Sequence, residues 1–343
     1  MSEVSRRGLL GLGALAMAGV ALPRAAGEPG GASPGQRKRV VRLAHVTDTH
    51  TQPELRGVEG TIACLEHLRA KRYAGATDIN APRGTPPLDD GPVDLLVHSG
   101  DIVFSINEHG RERSRMLLET TAKVFREHWT GASVWCLGNH DIWGLSKGRS
   151  GATGEEADFG KRWAMDVLGV KGEKPGAPYF SMDVGLGSGA WHVVVLDSVR
   201  PRGEGYFGGL DDEQFEWLKG DLALNKMRPT LIVSHIPILS AAVLDRAREE
   251  DGDVPVPAGR VFVDFERMKK LFLEMPQVKA CVAGHLHLRD RVTSNGVTYL
   301  CNGAASGAWW KGAHKECREG YAIVDLYDDG SFENAYVEYG WKA

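Results

Sequence analysis

The chain has 343 residues, of which 42% are hydrophobic and 25% are charged, with 43 glycines and 16 prolines. This is the composition of an ordinary globular protein, and it excludes a collagen-like, fibrous or wholly disordered chain. The net charge of −4 is spread along the sequence without a basic stripe or a long acidic run. We therefore predict neither a nucleic-acid-binding surface nor a polybasic membrane patch.

The first 26 residues are typical of an export signal. Arg6 and Arg7 precede an apolar stretch rich in glycine and alanine, Gly8–Leu22, and the small residues Ala25–Gly27 follow it. The stretch is short for a bilayer span, and the paired arginines resemble a twin-arginine signal, which directs export after folding. We therefore predict cleavage near Ala26, the twin-arginine export machinery as a partner, a periplasmic or extracellular location, and no stable membrane span in the mature protein. An uncleaved N-terminal anchor is the alternative.

Residues 27–37 are predicted to be a flexible linker, because this segment is rich in glycine, proline and serine. Residues 38–343 are predicted to form a single domain. The five cysteines have neither zinc-finger nor CxxC spacing, and a chain that folds in the reducing cytoplasm keeps its thiols free. Four of them lie in apolar runs and are predicted to be core residues, whereas Cys317 stands among charged residues and is predicted to be exposed.

Apolar runs of strand length alternate with helical patterns through most of the chain. Because continuously apolar strands are buried on both faces, this alternation predicts an α/β fold with covered sheets. In chain order, the predicted elements are the strand Val40–Val46, the helix Val58–Lys71, the strand Asp94–Ser99, the helix Glu112–His128, the strands Ser133–Leu137 and Trp191–Leu196, the helix Asp211–Leu224, the strand Thr230–Ser234, the helix Val261–Glu274 and the strand Val278–Ala283.

The last part of the chain has a different pattern, with alternating polar and apolar residues. Arg289–Asn302 contains the turn pair Asn295-Gly296, and Tyr321–Gly340 contains the turn residues 328–330, Asp-Asp-Gly. Both segments have the composition of β-hairpins. We therefore predict antiparallel β-structure at the C-terminal end.

Five clusters of metal-type ligands each follow directly on a predicted strand. Because the carboxyl ends of parallel strands lie along one rim of a sheet, we expect the five clusters to converge there. Carboxylate, imidazole and amide groups without thiolates suit two divalent or trivalent transition-metal ions, and they disfavour an iron–sulfur or structural zinc site. In chain order, the clusters are Asp48 with His50, Gly100-Asp101, Gly138-Asn139-His140-Asp141, the isolated His235, and Gly284-His285-Leu286-His287.

The ordered set of these motifs is far more specific than any one of them. DxH, GD, GNHD, an isolated strand-end histidine and GHxH together resemble the calcineurin-like metallophosphoesterase superfamily, over nearly the whole chain after the predicted signal. The resemblance implies a four-layer α-β-β-α sandwich with two mixed sheets, and two ions of iron, manganese or zinc. The first ion would take Asp48, His50, Asp101 and His287, and the second would take Asp101, Asn139, His235 and His285.

The resemblance also implies catalytic roles. His140 matches the histidine that contacts the phosphoryl group and can protonate the leaving oxygen, and Asp141 would orient the His140 imidazole through a hydrogen bond. Two cations about 3.5–4 Å apart lower the pKa of a shared water toward neutrality, which would provide a hydroxide to attack phosphorus. We therefore expect a hydrolase of small phosphate esters, with phosphodiesters favoured over phosphomonoesters.

Two features bear on the branch of the superfamily. Phe104 stands where purple acid phosphatases have a metal-binding tyrosine, so a purple-type site is not expected, and the motifs are more similar to the bacterial cyclic-nucleotide phosphodiesterase-like branch. The segment Ser306–Gly312 resembles C-terminal loops of exported members. Its residues Trp309, Trp310 and Lys311 are predicted to contact substrate, although both indoles could instead pack under the sheet edge.

Two other functions stay open on the sequence. A protein of the same fold could bind metal or phosphate without turnover, although His140 and the full ligand set argue against it. A metallopeptidase or amidase is disfavoured, because the sequence has no HExxH motif. The sequence does not specify which metals are bound, the physiological substrate or the oligomeric state.

Overall fold

The computed structural model describes residues 37–78, 85–245 and 252–343. The predicted signal segment and linker residues 27–36 lie outside the described residues. None of the helices in these three ranges is long and apolar enough to cross a membrane. The strands are β1 (Arg39–Val46), β2 (Leu95–His98), β3 (Ser133–Trp135), β4 (Phe180–Val184), β5 (Trp191–Val195), β6 (Val199–Arg202), β7 (Gly205–Gly208), β8 (Thr230–Val233), β9 (Val278–Ala283), β10 (Arg289–Ser294), β11 (Val297–Asn302), β12 (Gly320–Tyr327) and β13 (Phe332–Glu338). The α-helices are α1 (Gly57–Arg69), α2 (Arg111–His128), α3 (Lys147–Ser150), α4 (Arg162–Leu168), α5 (Asp212–Leu224) and α6 (Phe265–Glu274).

The strands form two mixed sheets and a small hairpin. The first sheet has the order β13-β12-β1-β2-β3, the second has the order β10-β11-β9-β8-β5-β4, and β6 pairs with β7. In the first sheet β1, β2 and β3 run parallel, and in the second sheet β5, β8, β9 and β11 run parallel. Parallel strands end at the same edge of a sheet. The residues that follow β1, β2 and β3 therefore lie side by side at one edge of the first sheet, and those that follow β8 and β9 lie side by side at one edge of the second.

Three apolar clusters hold the layers together. One lies between the sheets and includes Val97 of β2 and Val193 of β5. A second joins α1, α2 and α4 to the outer face of the first sheet, and a third joins α5 and α6 to the outer face of the second sheet. This α-β-β-α arrangement with two mixed sheets confirms the fold expected from the sequence.

The predicted elements are present, with differences at their ends. The strand Val278–Ala283 has the predicted bounds, but α6 begins at Phe265 and not at Val261. The backbone N–H of Phe262 donates to Pro237 and that of Val263 donates to Gly208, at 3.3 and 2.9 Å. These bonds keep residues 261–263 out of the helix. The sequence patterns missed β4, α3, α4 and the β6–β7 hairpin, which are short elements with mixed polar and apolar residues.

All five cysteines are buried and free. This confirms the prediction for the four cysteines in apolar runs and corrects the prediction for Cys317, which is 2% exposed. The backbones of His314 and Cys317 exchange two hydrogen bonds of 2.9 Å. In this tight turn the neighbouring side chains Glu316 and Arg318 are exposed, whereas the Cys317 thiol turns inward, 3.8 Å from the hydroxyl of Tyr336. Charged neighbours in the sequence are therefore no guide to the position of this thiol.

Candidate metal centre

Seven polar side chains meet where β1, β2 and β3 of the first sheet and β8 and β9 of the second sheet end. Six of them are buried, and His285 is half-buried. Six of the seven side chains, together with His140, form three groups that could hold a metal ion, because the ligand atoms within each group all lie within 4.8 Å of one another. The seventh side chain, Asn139, lies against His235. These groups are Asp48 with His50 and His287, His50 with Asp101 and His140, and Asp101 with His235 and His285.

Five of the seven residues have a left-handed backbone. The φ angle is +51° at Asp48, +40° at His50, +50° at Asp101, +68° at His285 and +56° at His287. Aspartate and histidine tolerate this conformation better than most residues, but it still costs of the order of 1–3 kcal/mol at each position. Strain of this kind clusters at functional sites, where the surrounding structure maintains it.

The first metal-binding group joins Asp48 and His50 of the first sheet to His287 of the second. Nε2 of His287 lies 3.2 Å from Oδ1 of Asp48 and 3.2 Å from Nε2 of His50. Nδ1 of His287 donates to the carbonyl oxygen of Gly307, so Nε2 presents a lone pair toward the group. Oδ1 of Asp48 and Nδ1 of His50 are buried without a hydrogen-bond partner among the described residues. A cation among these atoms would compensate the buried carboxylate.

The second metal-binding group consists of Asp101, His235 and His285, with Asn139 beside them, and it is arranged around His235. Its Nε2 lies 3.3 Å from Oδ2 of Asp101, 3.2 Å from Oδ1 of Asn139 and 3.1 Å from Nδ1 of His285. The same Oδ2 of Asp101 lies 3.7 Å from Nε2 of His50. Asp101 therefore stands between the two groups, where one carboxylate could contact both ions.

Backbone carbonyl oxygens accept hydrogen bonds from the outward-facing ring nitrogens of His235 and His285. Nδ1 of His235 donates to the carbonyl oxygen of Ser99 at 3.0 Å, and Nε2 of His285 donates to that of Gly259 at 2.8 Å. Unless His235 takes up a second proton, the two nitrogens that face each other, 3.1 Å apart, therefore both carry lone pairs. Two facing lone pairs at this distance repel unless a metal ion or a proton lies between them. Metal-ligating histidines commonly have this support on the second ring nitrogen, so the residues present fit a metal pair.

The carboxylates of the centre are ionised at neutral pH. Burial alone would raise the pKa of Asp48 and of Asp101, but the adjacent histidines outweigh burial and lower both pKa values, chiefly His287 for Asp48 and His235 for Asp101. Burial would lower the pKa of His235, but Asp101 raises that pKa to about 9. Burial, followed by the charge of His235, lowers the pKa of His285 to about 3. Asp101 is therefore anionic and His285 neutral, whereas a metal ion at Nε2 of His235 would displace the proton that Asp101 stabilises there.

His140 stands beside the two groups with its ring at the solvent edge. Its side chain is 21% exposed, and its Nε2 lies 4.0 Å from Oδ2 of Asp101. The backbone N–H of His140 donates to Oδ1 of Asp101 at 2.8 Å, and its Nδ1 lies 2.9 Å from the hydroxyl of Ser105. Because Ser105 holds Nδ1, Nε2 is the atom that faces the centre.

Asp141 does not hold the imidazole of His140, and this corrects the prediction. Oδ1 of Asp141 accepts hydrogen bonds from the backbone N–H groups of Ile102 and Val103, at 2.9 and 3.0 Å. Its Oδ2 accepts a bond of 2.8 Å from the N–H of Gly138. Asp141 therefore ties the loop after β2 to the loop after β3.

The two adjacent tryptophans occupy different environments. The ring of Trp309 is half-buried, and its centroid lies 4.4 Å from that of His287 and 5.8 Å from that of His50. Trp310 is 1% exposed, so the prediction that its indole contacts substrate is wrong. Lys311 is exposed, and substrate contact by Lys311 and Trp309 stays a prediction.

Sequence reasoning missed the groups that support the ligands. The carbonyl oxygens of Ser99, Gly259 and Gly307 hold three imidazoles, but every residue type carries a carbonyl, so no residue pattern marks them. Ser105 was a detectable candidate, because it is a polar residue four positions after Asp101 of the GD motif. Its left-handed backbone, with φ of +53°, is visible only in the structure.

The family model of the calcineurin-like phosphoesterases matches residues 41–289 of the chain. Among curated proteins, the chain is 25% identical over 262 residues to a probable cyclic nucleotide phosphodiesterase of Rhodococcus erythropolis, an alignment that covers 74% of this chain and 67% of that protein. It is 27% identical over 151 residues to a 3′,5′-cyclic-nucleotide phosphodiesterase of Nostoc sp., with 42% of this chain and 51% of that protein covered.

Solved structures share the fold at low identity. A dimetal phosphatase from Danio rerio superposes with a TM-score of 0.53 and 15% identity, over 88% of this chain and 100% of the other. A purple acid phosphatase from yellow lupin gives 0.52 and 15%, over 90% of this chain and 52% of the other. The matched residues 41–289 contain all seven converging side chains, from Asp48 to His287. The chain therefore belongs to the calcineurin-like phosphoesterase family, and it is a hydrolase that acts on phosphate ester bonds.

Proposed function

We propose that the protein hydrolyses small phosphodiesters at a centre of two transition-metal ions, with His140 as the general acid. The observation that carries the proposal is the position of Asp101, whose carboxylate is shared by two groups of metal-type ligands. The names of the two curated relatives support a phosphodiester substrate. Phosphomonoester hydrolysis at the same centre is the second candidate.

The chain offers each ion a carboxylate and imidazoles. Asp48, His50 and His287 would hold one ion, His235 and His285 with Asn139 would hold the other, and Asp101 would bridge them. Such ligands suit iron, manganese or zinc. When bound, two ions supply Lewis acidity that activates a water and neutralises charge on the phosphoryl oxygens.

His140 would deliver a proton to the leaving oxygen from Nε2. Ser105 holds Nδ1 of this ring at 2.9 Å, and the ring centroid lies 4.9 Å from that of His50. The imidazole therefore lies directly beside the proposed metal ligands. A general acid in this position contributes about 10²- to 10⁴-fold to the rate. The half-buried ring of Trp309 lies beside His287, where a flat leaving group could pack against the indole.

The test is hydrolysis by the full chain after loading with Mn²⁺, measured on bis(4-nitrophenyl) phosphate, 4-nitrophenyl phosphate and a 3′,5′-cyclic nucleotide. Asp101→Asn should leave a folded protein that has lost nearly all turnover. Asp212→Asn is the matched control, because that carboxylate is 94% exposed and pairs with Arg267 on the surface. Retained turnover in Asp101→Asn would defeat the proposal. Metal uptake by the wild type without hydrolysis of any ester would favour a metal- or phosphate-binding protein that lacks turnover.

We further propose that the protein is exported through the twin-arginine pathway to the periplasm or beyond. This part rests on Arg6, Arg7 and the apolar stretch that follows them. Residues 1–36 fused to a folded reporter should carry the reporter out of the cytoplasm, and replacing both arginines by lysine should stop the export. Export that continues in the double lysine variant would contradict the assignment.

A further inference from the structure

His285 differs from the other imidazoles of the centre in the nitrogen that it turns inward. His50, His235 and His287 face their neighbours through Nε2, whereas His285 faces His235 through Nδ1. Which ring nitrogen faces inward depends on the partner that holds the other one. For His285 this partner is the carbonyl oxygen of Gly259, 2.8 Å from Nε2.

The position of Gly259 depends in turn on Tyr206 of β7. Gly259 lies in the short 3₁₀ turn Ala258–Arg260. A Cβ at Gly259 would lie 3.0 Å from Cε2 and 3.4 Å from Cδ2 of Tyr206, so the turn rests directly on that ring. The ring also meets the imidazole of His285 edge to face, with centroids 6.0 Å apart and planes at 76°. Tyr206 therefore contacts both the ligand and the turn that holds it.

The β6–β7 hairpin brings Tyr206 to this position from outside the two main sheets. The segment after the turn is attached to the same hairpin, because Val263 donates a backbone hydrogen bond of 2.9 Å to Gly208, and Phe262 forms a parallel bridge with Gly208. The hairpin and the turn thus form one packed unit beside the second metal-binding group.

We infer that Tyr206 is a positioning residue for metal binding, which keeps the Gly259 carbonyl on Nε2 of His285 and so directs Nδ1 toward Asp101 and His235. The inference rests on the proposed metal centre, and it adds that the two ions depend on different parts of the fold. Loss of the Tyr206 ring should weaken the second group. The first group, whose His287 is held by Gly307, should keep its affinity.

The test is Mn²⁺ binding by the metal-stripped full chain. Equilibrium dialysis measures the number of bound ions and their affinities, and the electron paramagnetic resonance spectrum reports whether the bound manganese ions are coupled. The wild type should take two equivalents and show a spin-coupled pair. Tyr206→Ala should retain one tight ion and weaken the other about 10- to 100-fold, with an uncoupled signal. Tyr206→Phe should behave as the wild type, because it keeps both ring contacts.

Two further variants separate positioning from general damage. Gly259→Ala adds a methyl group 3.0 Å from the Tyr206 ring, so it should weaken the same ion, and it decides the question if Tyr206→Ala does not fold. Phe207→Ala is the matched control, because successive side chains of a strand point to opposite faces and Phe207 packs against Arg202.

The outcomes for the inference and for the metal centre are distinguishable. Two tight ions in Tyr206→Ala and Gly259→Ala would overturn the inference, and so would equal weakening of both ions or an equal effect of Phe207→Ala. A wild-type chain that takes fewer than two equivalents would instead overturn the proposed dinuclear centre.

Discussion

The indole Nε1 of Trp310 donates a hydrogen bond of 3.1 Å to the carbonyl oxygen of His50, a residue 260 positions earlier in the chain. The Trp310 ring fills a slot on α1 beside Gly57 and Gly60. A Cβ at Gly57 would lie 2.9 Å from Cδ1 of this ring, and a Cβ at Gly60 would overlap the ring itself. The two glycines thus admit an indole that holds the left-handed backbone of His50 in place.

Gly60→Ala should therefore damage the first metal-binding group from a distance. The added methyl group displaces Trp310, and such overpacking typically costs about 1–3 kcal/mol of unfolding free energy. The midpoint temperature of thermal unfolding and the affinity for Mn²⁺ should both fall. Gly220→Ala in α5 is the matched control, because a Cβ there meets nothing within 4 Å, and a helical glycine-to-alanine change should stabilise the protein by up to about 1 kcal/mol. Unchanged stability in Gly60→Ala would contradict the packing described.

His140→Ala should reduce turnover according to the leaving group. An alkoxide needs a proton as it departs, so a cyclic nucleotide or an alkyl ester should lose about 10²- to 10⁴-fold in kcat. A nitrophenolate is stable without that proton and should lose much less. Ser105→Ala should show the same dependence more weakly, because the ring remains and loses the bond that orients it. Equal losses on both classes of ester would exclude His140 as the general acid.

Asp141→Ala should lower stability and leave the leaving-group preference unchanged. The substitution removes the acceptor of three buried backbone N–H groups, those of Ile102, Val103 and Gly138. Each unsatisfied group costs about 1–3 kcal/mol, so denaturant unfolding should show a large loss of free energy. A leaving-group dependence like that of His140→Ala would restore the original prediction that Asp141 orients the imidazole.

His192 should make a pH-dependent contribution to stability. Burial would lower its pKa, but the hydrogen bonds to Asp221 and then Asp183 raise the pKa above the ordinary histidine value of 6.5. A raised folded-state pKa stabilises the folded protein fully below pH 6.5, and the contribution disappears as the pH rises through the folded-state value. The loss of unfolding free energy in His192→Asn should therefore be larger at pH 5.5 than at pH 8.5. An equal loss at both values would show that the imidazolium pairs contribute nothing.

The strand-end positions of the metal-type ligands could be predicted because two independent signals coincide there. An apolar run marks each strand, and a residue such as Asp101 or His235 directly after it carries its chemistry in its side chain. The same signals explain why the two-sheet fold was predicted while the short β6–β7 hairpin was not. Parallel-sheet order then places the strand ends together without further information.

The supporting contacts could not be predicted, because their specificity lies in backbone position. Asp141 stands next to His140 in the chain, which suggested a bond between the two side chains, but the 3₁₀ turn over residues 139–141 points the carboxylate at the loop after β2. Trp309 and Trp310 are adjacent and chemically identical, yet one borders the centre and the other packs on α1. Sequence alone does not distinguish such neighbours.

The first and the second metal-binding groups each draw ligands from both sheets: Asp48 and His50 meet His287 across the interface, and Asp101 meets His235 in the same way. Bound ions would therefore cross-link the two halves of the sandwich at one end of their shared apolar interior. The distance between the two sheets then determines the distance between the ligands that each ion would join. A change of volume at an interior residue such as Val97 or Val193, neither of which is a ligand, would alter the spacing of the reactive groups.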